Sequence, residues 1–349
     1  MRLSLTGGNP AEWLALKAGV VPEPAAQAWG GVALSGILVA AVRAGITERL
    51  ARGPATPAEV AAGLGLDPVP AGLLLEALRS AGHLTRRGGR YRLSRRSRRW
   101  LDPGARLPVA GFVAATADYW DWWGRLEETL AGGRPADHHG APPDDPYWRR
   151  YITGQLELAR LSAGEVARRL PLPAGARTLL DIGGGHGWYS AKLCDRHPGL
   201  TATVLDLPGS AAVGRDIIAA AGYGGRVRHI EADATAGRLG RDWDAVLCFN
   251  LIHHLPPERI RVLFRDVYHA LAPGGVLAVL DVFADPRRRR VPAQASAVGL
   301  FMYLSSGSQV HTPGELEEWF RSAGFPGPRA RRVLRLPGQS LWTARKPAA

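Results

Sequence analysis

The sequence predicts an α/β protein in which a mostly parallel sheet carries helices on both faces, with a smaller, mainly α-helical module in front of it. Three observations carry this reading. In LLDIGGGHG (179–187) an apolar run ends in an acid and then turns on closely spaced glycines. Downstream, apolar runs of strand length alternate with helical patterns, which is the sequence form of a parallel sheet with crossover helices. Upstream, the chain reads as helix, turn, helix and basic hairpin.

Composition sets the bounds. With 349 residues, 46% hydrophobic and 21% charged, the chain is globular and long enough for two domains. A formal charge of +13 would suit a nucleic-acid partner. Lysine, however, occurs only at Lys17, Lys192 and Lys346, so the charge is almost all arginine in an Ala/Gly/Pro-rich chain, and it reads as solvated surface. No nucleic-acid partner is expected. Cys194 and Cys248 fall in a predicted helix and strand without metal-ligand spacing, as in a reducing compartment. The amino end lacks a basic leader with an apolar core and cleavage site, so a cytoplasmic location is expected. Residues 25–42 carry no charge and barely reach membrane-spanning length, but they include Gln27, Ser35 and three glycines. They read as a buried helix in a subunit interface, with no membrane partner.

In chain order, Thr56, Pro57 and Glu59 form a capping box with proline at the first helical position, and the glycines of 63–65 end that helix. Asp67 and Pro68 open a second helix, and HLTRRGGRYRLS (83–94) reads as a hairpin turning at Gly88 and Gly89. Its arginines, from Arg86 to Arg99, could face phosphate in a DNA-docked module or solvent in a packing module. Trp120, Trp122 and Trp123 lie in the helical DYWDWWGRLEETL (118–130); positions i, i+2 and i+3 cannot all share a face, so some are core. The loop ADHHGAPPDDPYW (136–148) then brings His138, His139, Tyr147 and Trp148. Paired histidines invite a metal reading, but no second ligand cluster at zinc-like spacing accompanies them, so no metal is expected. A ring-rich loop beside such a sheet instead reads as the wall of an aromatic pocket.

The predicted strands are 178–182, 202–205, 227–230, 245–249 and 276–280, and each ends at or before chemistry: Asp181, Asp206, Asp233, the pair His253 and His254, and Asp281. The carboxyl ends of parallel strands lie along one edge, so these groups converge on one crevice. Asp206 stands about twenty residues beyond the glycines, the spacing of a ribose acceptor. Asp233 is equally well placed to cap a helix. A dinucleotide fingerprint starting at Gly183 would need glycine at 188, where the chain has Trp188, which argues against a bound pyrophosphate.

The D-x-G-x-G-x-G turn is followed in order by VLDLPG (204–209), EADA (231–234), DAVLCFNLIHHLPPE (244–258) and LAPGGVLAVLD (271–281). Together these resemble the S-adenosylmethionine (SAM) dependent small-molecule O-methyltransferases, which include plant phenol and hydroxyindole methyltransferases and bacterial tailoring enzymes of natural products. Residues 28–101 are similar to that family's winged-helix dimerisation domain. The resemblance implies a Rossmann-like class I methyltransferase sheet and a homodimer joined through the amino-terminal domain. It implies three parts: a dimerisation domain at 1–105, a helical linker and aromatic pocket segment at 106–170, and a SAM-binding domain at 171–349.

Carried over by residue, the resemblance implies that Gly183 and Gly185 meet the methionine part of SAM, Asp206 the ribose, and Asp233 and Ala234 the adenine, with Asp181 and Leu207 also among the cofactor-binding residues. His253 falls where the family has its general base, and Asp281 where it has one of two flanking acids; the other acid's position holds Val310. Plant members follow the base with Asp-Trp, where this chain has His254 and Leu255. The family's polar residue four before the base is Phe249, so that contact would come from backbone or from Asn250. Neighbours in an irregular turn generally point in different directions, so only His253 of the pair is expected to face the sulfonium. In LFMYLSSGSQV (300–310), beyond the arginine run 287–290, Met302 and Tyr303 are expected to meet Trp120, Trp123 and Trp148 over the methyl group, with His139 nearby.

The implied reaction moves a methyl group from SAM to a hydroxyl of an aromatic or polyketide-like molecule. SAM is already an electrophile, so alignment can supply roughly 7–11 kcal/mol and a histidine base a further hundredfold or more. Two alternatives stay open. One keeps the fold but methylates ring carbon or has left methylation altogether; the other is a DNA-binding regulator, which needs no histidine at the fourth strand's end.

Overall fold

The computed structural model describes residues 9–237, 239–284, 293–335 and 338–348. It divides into two units, Arg2–Ala117 and Asp118–Ala349.

In the first unit the local signals hold. Thr56 accepts from the Glu59 amide while the Glu59 carboxylate accepts from the Thr56 amide at 2.8 Å, capping helix Pro57–Leu64. Asp67 caps Pro68–Ser80 through the Val69 amide at 2.8 Å. Strands β1 (Leu84–Arg87) and β2 (Arg90–Leu93) pair antiparallel in the register Leu84 to Leu93. Tyr91, Leu84 and Leu93 drop into a core with Ile46, Leu50, Val60, Leu75 and Leu78. Two of the hairpin arginines are engaged by acids: Arg86 by Glu76 at 3.0 Å and Arg90 by Glu59 at 2.7 Å.

Helix Glu23–Arg43, expected to be buried in a subunit interface, is largely uncovered in the single chain. Its own chain buries only Val39 and Ala41, while Trp29 is 78% exposed and Val32 and Leu34 are exposed as well. The helix is apolar on every side rather than along one stripe, so packing one face leaves the others in water. By length and composition alone it could also cross a membrane.

The second unit is built on one seven-stranded sheet. Its strands are β3 (Thr178–Ile182), β4 (Thr201–Asp206), β5 (Val227–Glu231), β6 (Trp243–Phe249), β7 (Leu271–Val282), β8 (Arg329–Arg332) and β9 (Gln339–Arg345), in the order β5-β4-β3-β6-β7-β9-β8. The first five are parallel, and β9 inserts antiparallel between β7 and β8. Both faces are buried, which is why the parallel strands read as unbroken apolar runs. Leu179, Val204, Ala245 and Val276 point into one layer with Ala163 and Val166 of helix Pro146–Arg169. Leu180, Ile182, Val246 and Leu277 point into the other, with Phe264, Trp319 and Phe320. Each such fully buried large side chain contributes roughly 1.5–3 kcal/mol. The chain reverses its strand order between β3 and β6, the point at which open sheets of this kind form a ligand crevice.

Candidate active site

The glycine turn after β3 is held from three sides. Gly183, Gly185 and Gly187 all have positive φ, at 65°, 48° and 65°, conformations that side-chain-bearing residues rarely adopt. The Gly183 amide donates to Leu205 O at 2.8 Å and the Gly185 amide to Asp206 Oδ2 at 2.6 Å. A Cβ on Gly184 would lie 2.5 Å from Asp181 Cγ. Asp181 therefore sits directly beneath the turn, 1% exposed, accepting the Ser190 hydroxyl at 2.6 Å. Burial pushes its carboxyl up to about 7. Against the expectation of a direct contact with cofactor, its side chain underpins the turn instead.

Asp206, at the end of β4, spends one lone pair of each oxygen on backbone, with Oδ1 taking the Leu207 amide at 2.7 Å, and burial raises its pKa. Leu207 packs with Trp148, Ile152 and Val213. Asp233 caps the short turn Ala234–Ala236, its Oδ1 accepting the Thr235 amide at 2.8 Å, and Ala234 packs on the core. Phe249 is 4% exposed and set edge-on to Tyr189 at 5.1 Å, so its side chain is core. Asn250, at φ 51°, accepts the Gln339 Nε2 hydrogen at its Oδ1, 3.0 Å away. That partner comes from β9, a strand absent from the sequence reading.

After β6 the single turn Ile252–His254 presents both histidines. His253 Nδ1 lies 2.5 Å from Oδ1 of Asp281, which is fully buried and also accepts the Val282 amide at 2.7 Å. The expectation that the two histidines diverge is overturned: their rings are 4.2 Å apart and their Nε2 atoms 3.0 Å apart. The tight turn tilts the adjacent rings by 58° rather than pointing them to opposite sides. His311 holds this turn in place, its Nε2 shared between Ile252 O at 3.1 Å and Leu255 O at 3.2 Å. Sequence reasoning missed His311, whose only signal was its place beside Val310. Leu251 of the same loop closes on the glycine turn, within 3.0 Å of where a Gly183 Cβ would stand.

The ring cage differs from the one expected. Phe301, on helix Ala293–Ser306, packs on Tyr119 at 4.6 Å, Trp122 at 5.5 Å and Trp123 at 6.0 Å. Trp120 and Trp123 are each 38% exposed and Tyr303 46%, Met302 is half-buried, and of the two tryptophans Trp123 is the one in ring contact with Phe301. Helical spacing explains the exchange, because 119, 122 and 123 stand at i, i+3 and i+4 and share a face that 120 does not. Trp148 is 3% exposed and lies parallel to His139 at 6.3 Å. The arginine run 287–290 lies outside the described residues.

The metal expectation also changes in three dimensions. His254 joins His138 and His139, the three offering ligand atoms all within 4.8 Å of one another. The companion ligand lies far along the chain, where spacing could not reveal it. Burial holds His138 below the usual histidine range and, with neighbouring imidazoles, holds His139 and His254 well below it. Burial pushes His186, behind the glycine turn, down to about 3 and lowers His229 too. These five take up protons more readily unfolded, so their neutral burial gives stability that is full above about pH 6.5 and lost as pH falls toward their depressed values. Asp181 and Asp206, raised by burial, act in the opposite sense and are outnumbered. The melting temperature is therefore expected to drop steadily from pH 7 to pH 4.5; scanning calorimetry showing a flat profile would refute the neutral assignment.

A sheet of this strand order, with its antiparallel β9, a glycine turn after the central strand and an acid ending the next one, defines a class I SAM-dependent methyltransferase. Residues 131–326 match the O-methyltransferase domain family, and residues 26–103 match the O-methyltransferase dimerisation domain. The chain belongs to the O-methyltransferase family. Among similar proteins, the 3-hydroxy-5-methyl-1-naphthoate 3-O-methyltransferase of Streptomyces sahachiroi is 31% identical over 82% of this chain and 84% of its own. The N,N-dimethyltransferase OxyT of Streptomyces rimosus is 33% identical over 89% and 92% respectively. The human N-acetylserotonin methyltransferase structure, in complex with SAM, superposes with a TM-score of 0.82 at 21% identity, covering 99% of this chain and 100% of its own.

Proposed function

We propose that this enzyme methylates a hydroxyl of a flat aromatic or polyketide-like small molecule, with His253 as general base. The observation that carries this reading is the His253–Asp281 pair at 2.5 Å, on a loop whose Leu251 closes against the glycine turn. SAM, when bound, supplies the electrophilic methyl group. The crevice suits it: each oxygen of Asp206 keeps an acceptor site for a ribose hydroxyl, and the glycine turn offers backbone without side chains. Asp233 and Ala234 would border the adenine, with backbone at Phe249 and Asn250 near the methionine end. Asp281 keeps Nδ1 of His253 as the donor, so Nε2 carries the lone pair that takes the acceptor's proton, and the buried carboxylate then stabilises the imidazolium. Asp181 acts as a positioning residue under the turn. The naphthoate-methylating relative supports an aromatic acceptor.

A second reading follows from the N,N-dimethyltransferase relative, of comparable identity: the acceptor atom would be an amine nitrogen deprotonated by the same base. Incubation with SAM and a panel of naphthols, phenols and their amino analogues, followed by product mass and NMR, separates the two. SAM binding with no methylated product from either class would reject both. Phe301→Ala is expected to raise the acceptor KM about tenfold while leaving SAM affinity alone. If calorimetry shows SAM affinity falling equally, the ring cage belongs to the fold and not to acceptor recognition.

For the assembly, the exposed apolar side of Glu23–Arg43 would be covered by a second copy, giving a homodimer through the amino-terminal domain. This favours a cytoplasmic protein without a membrane or nucleic-acid partner, with hairpin arginines paired to acids or solvated. The three-part division at 105 and 170 belongs to the same proposal.

A further inference from the structure

The histidines beside the proposed base carry an inference that does not depend on methyl transfer. Hydrogen bonds fix the tautomers of three rings. His138 Nδ1 lies 2.5 Å from the carbonyl of Ser305, which can only accept, so Nδ1 bears the proton and Nε2 the lone pair. The Ser306 hydroxyl donates to Met302 O at 2.8 Å, so its oxygen can only accept from His254 Nδ1, 3.3 Å away. His253 Nδ1 is likewise the donor toward Asp281. The Nε2 atoms of His253 and His254 face each other 3.0 Å apart. Two ring nitrogens this close suit a shared cation, either a proton or a metal ion.

We propose that His138, His139 and His254 bind a divalent ion of the zinc, cobalt or nickel class, with His253 Nε2 beside it. Imidazole nitrogens select this class over magnesium and calcium, which take oxygen. The outer hydrogen bonds follow the pattern of metal-binding histidines, in which the second ring nitrogen donates to a carbonyl, hydroxyl or carboxylate and so aims the first. Ser305 and Ser306, ending one helix, supply two of them. Nitrogen ligands at about 2.0–2.1 Å from one ion lie at most roughly 4.2 Å apart. The cluster, within 4.8 Å, needs to close by about half an ångström. Three protein ligands leave a fourth position open, as in zinc sites that bind water or a substrate oxygen.

The test uses full-length, tag-free protein stripped with a chelator and titrated with Co(II). One equivalent per chain is expected, with the visible ligand-field bands of a four-coordinate nitrogen site. His138→Ala and His254→Ala should each weaken binding at least tenfold and abolish those bands, and Ser306→Ala should weaken it more mildly. SAM calorimetry on each variant reports that the crevice is still folded. Absence of saturable binding overturns the proposal, as does binding that survives both histidine variants. Imidazole nitrogen NMR showing a proton shared between His253 and His254 in metal-free protein that takes up no cobalt also overturns it.

Discussion

Replacing His253 with alanine is expected to lower kcat a hundredfold or more, about 3 kcal/mol of transition-state stabilisation, while SAM still binds. The reason is geometric. The ring's Nδ1 is committed to a fully buried carboxylate, which leaves Nε2, 3.0 Å from His254 Nε2, as its single basic nitrogen. Alanine also leaves Asp281 with only the Val282 amide, and an underpaired buried charge destabilises the fold. His253→Asn separates the two effects, because its amide can keep a donor on Asp281 while removing the base. It should melt closer to wild type yet be equally slow. Asp281→Asn should also be slow, since an amide no longer enforces the tautomer or stabilises the imidazolium. His254→Ala should cost less, because its Nδ1 faces the Ser306 hydroxyl rather than a carboxylate. The His253→Ala deficit should shrink as pH approaches the acceptor's own pKa, where the phenolate forms unaided. Steady-state kinetics finding equal losses at His253 and His254, or none at either, would remove His253 from the role of base.

Asp206→Ala is expected to weaken SAM and S-adenosylhomocysteine by at least a hundredfold. The carboxylate anchors the Gly185 and Leu207 amides, and in the proposed site its remaining lone pairs would receive the ribose hydroxyls. Hydrogen bonds to a charged group contribute roughly 1.5–3 kcal/mol each, so losing the ribose pair alone accounts for the expected drop. The loosened Gly185 amide adds to it. Asp206→Asn, which keeps one acceptor oxygen, should fall between. Calorimetry on a variant whose circular dichroism is unchanged decides the matter, and wild-type affinity there would mean that the cofactor lies elsewhere.

What was legible in the sequence was whatever short-range physics dictates. Five parallel strands, the glycine turn, the capping box at Thr56 and the N-cap at Asp67 each follow from neighbours within a few residues, and each stands where expected. The pairing of His253 with Asp281 was also legible, because parallel strands put all their carboxyl ends on one edge, which Asp206 shares. Strands β8 and β9 were not. Arg329–Arg332 reads RARR, without apolar alternation, since an edge strand need not bury both faces. The tertiary structure alone decided which rings meet. Phe301 rather than Tyr303 reaches the Tyr119–Trp122 face, His254 turns toward His253, and His138 and His139 join it from a loop distant in sequence. It also decided that Asp181 lies under the glycine turn and that Glu23–Arg43 is left largely uncovered by its own chain. Periodicity fixes the direction of a side chain relative to its own element, whereas contacts between elements depend on how distant segments close on one another, and no local pattern encodes that closure.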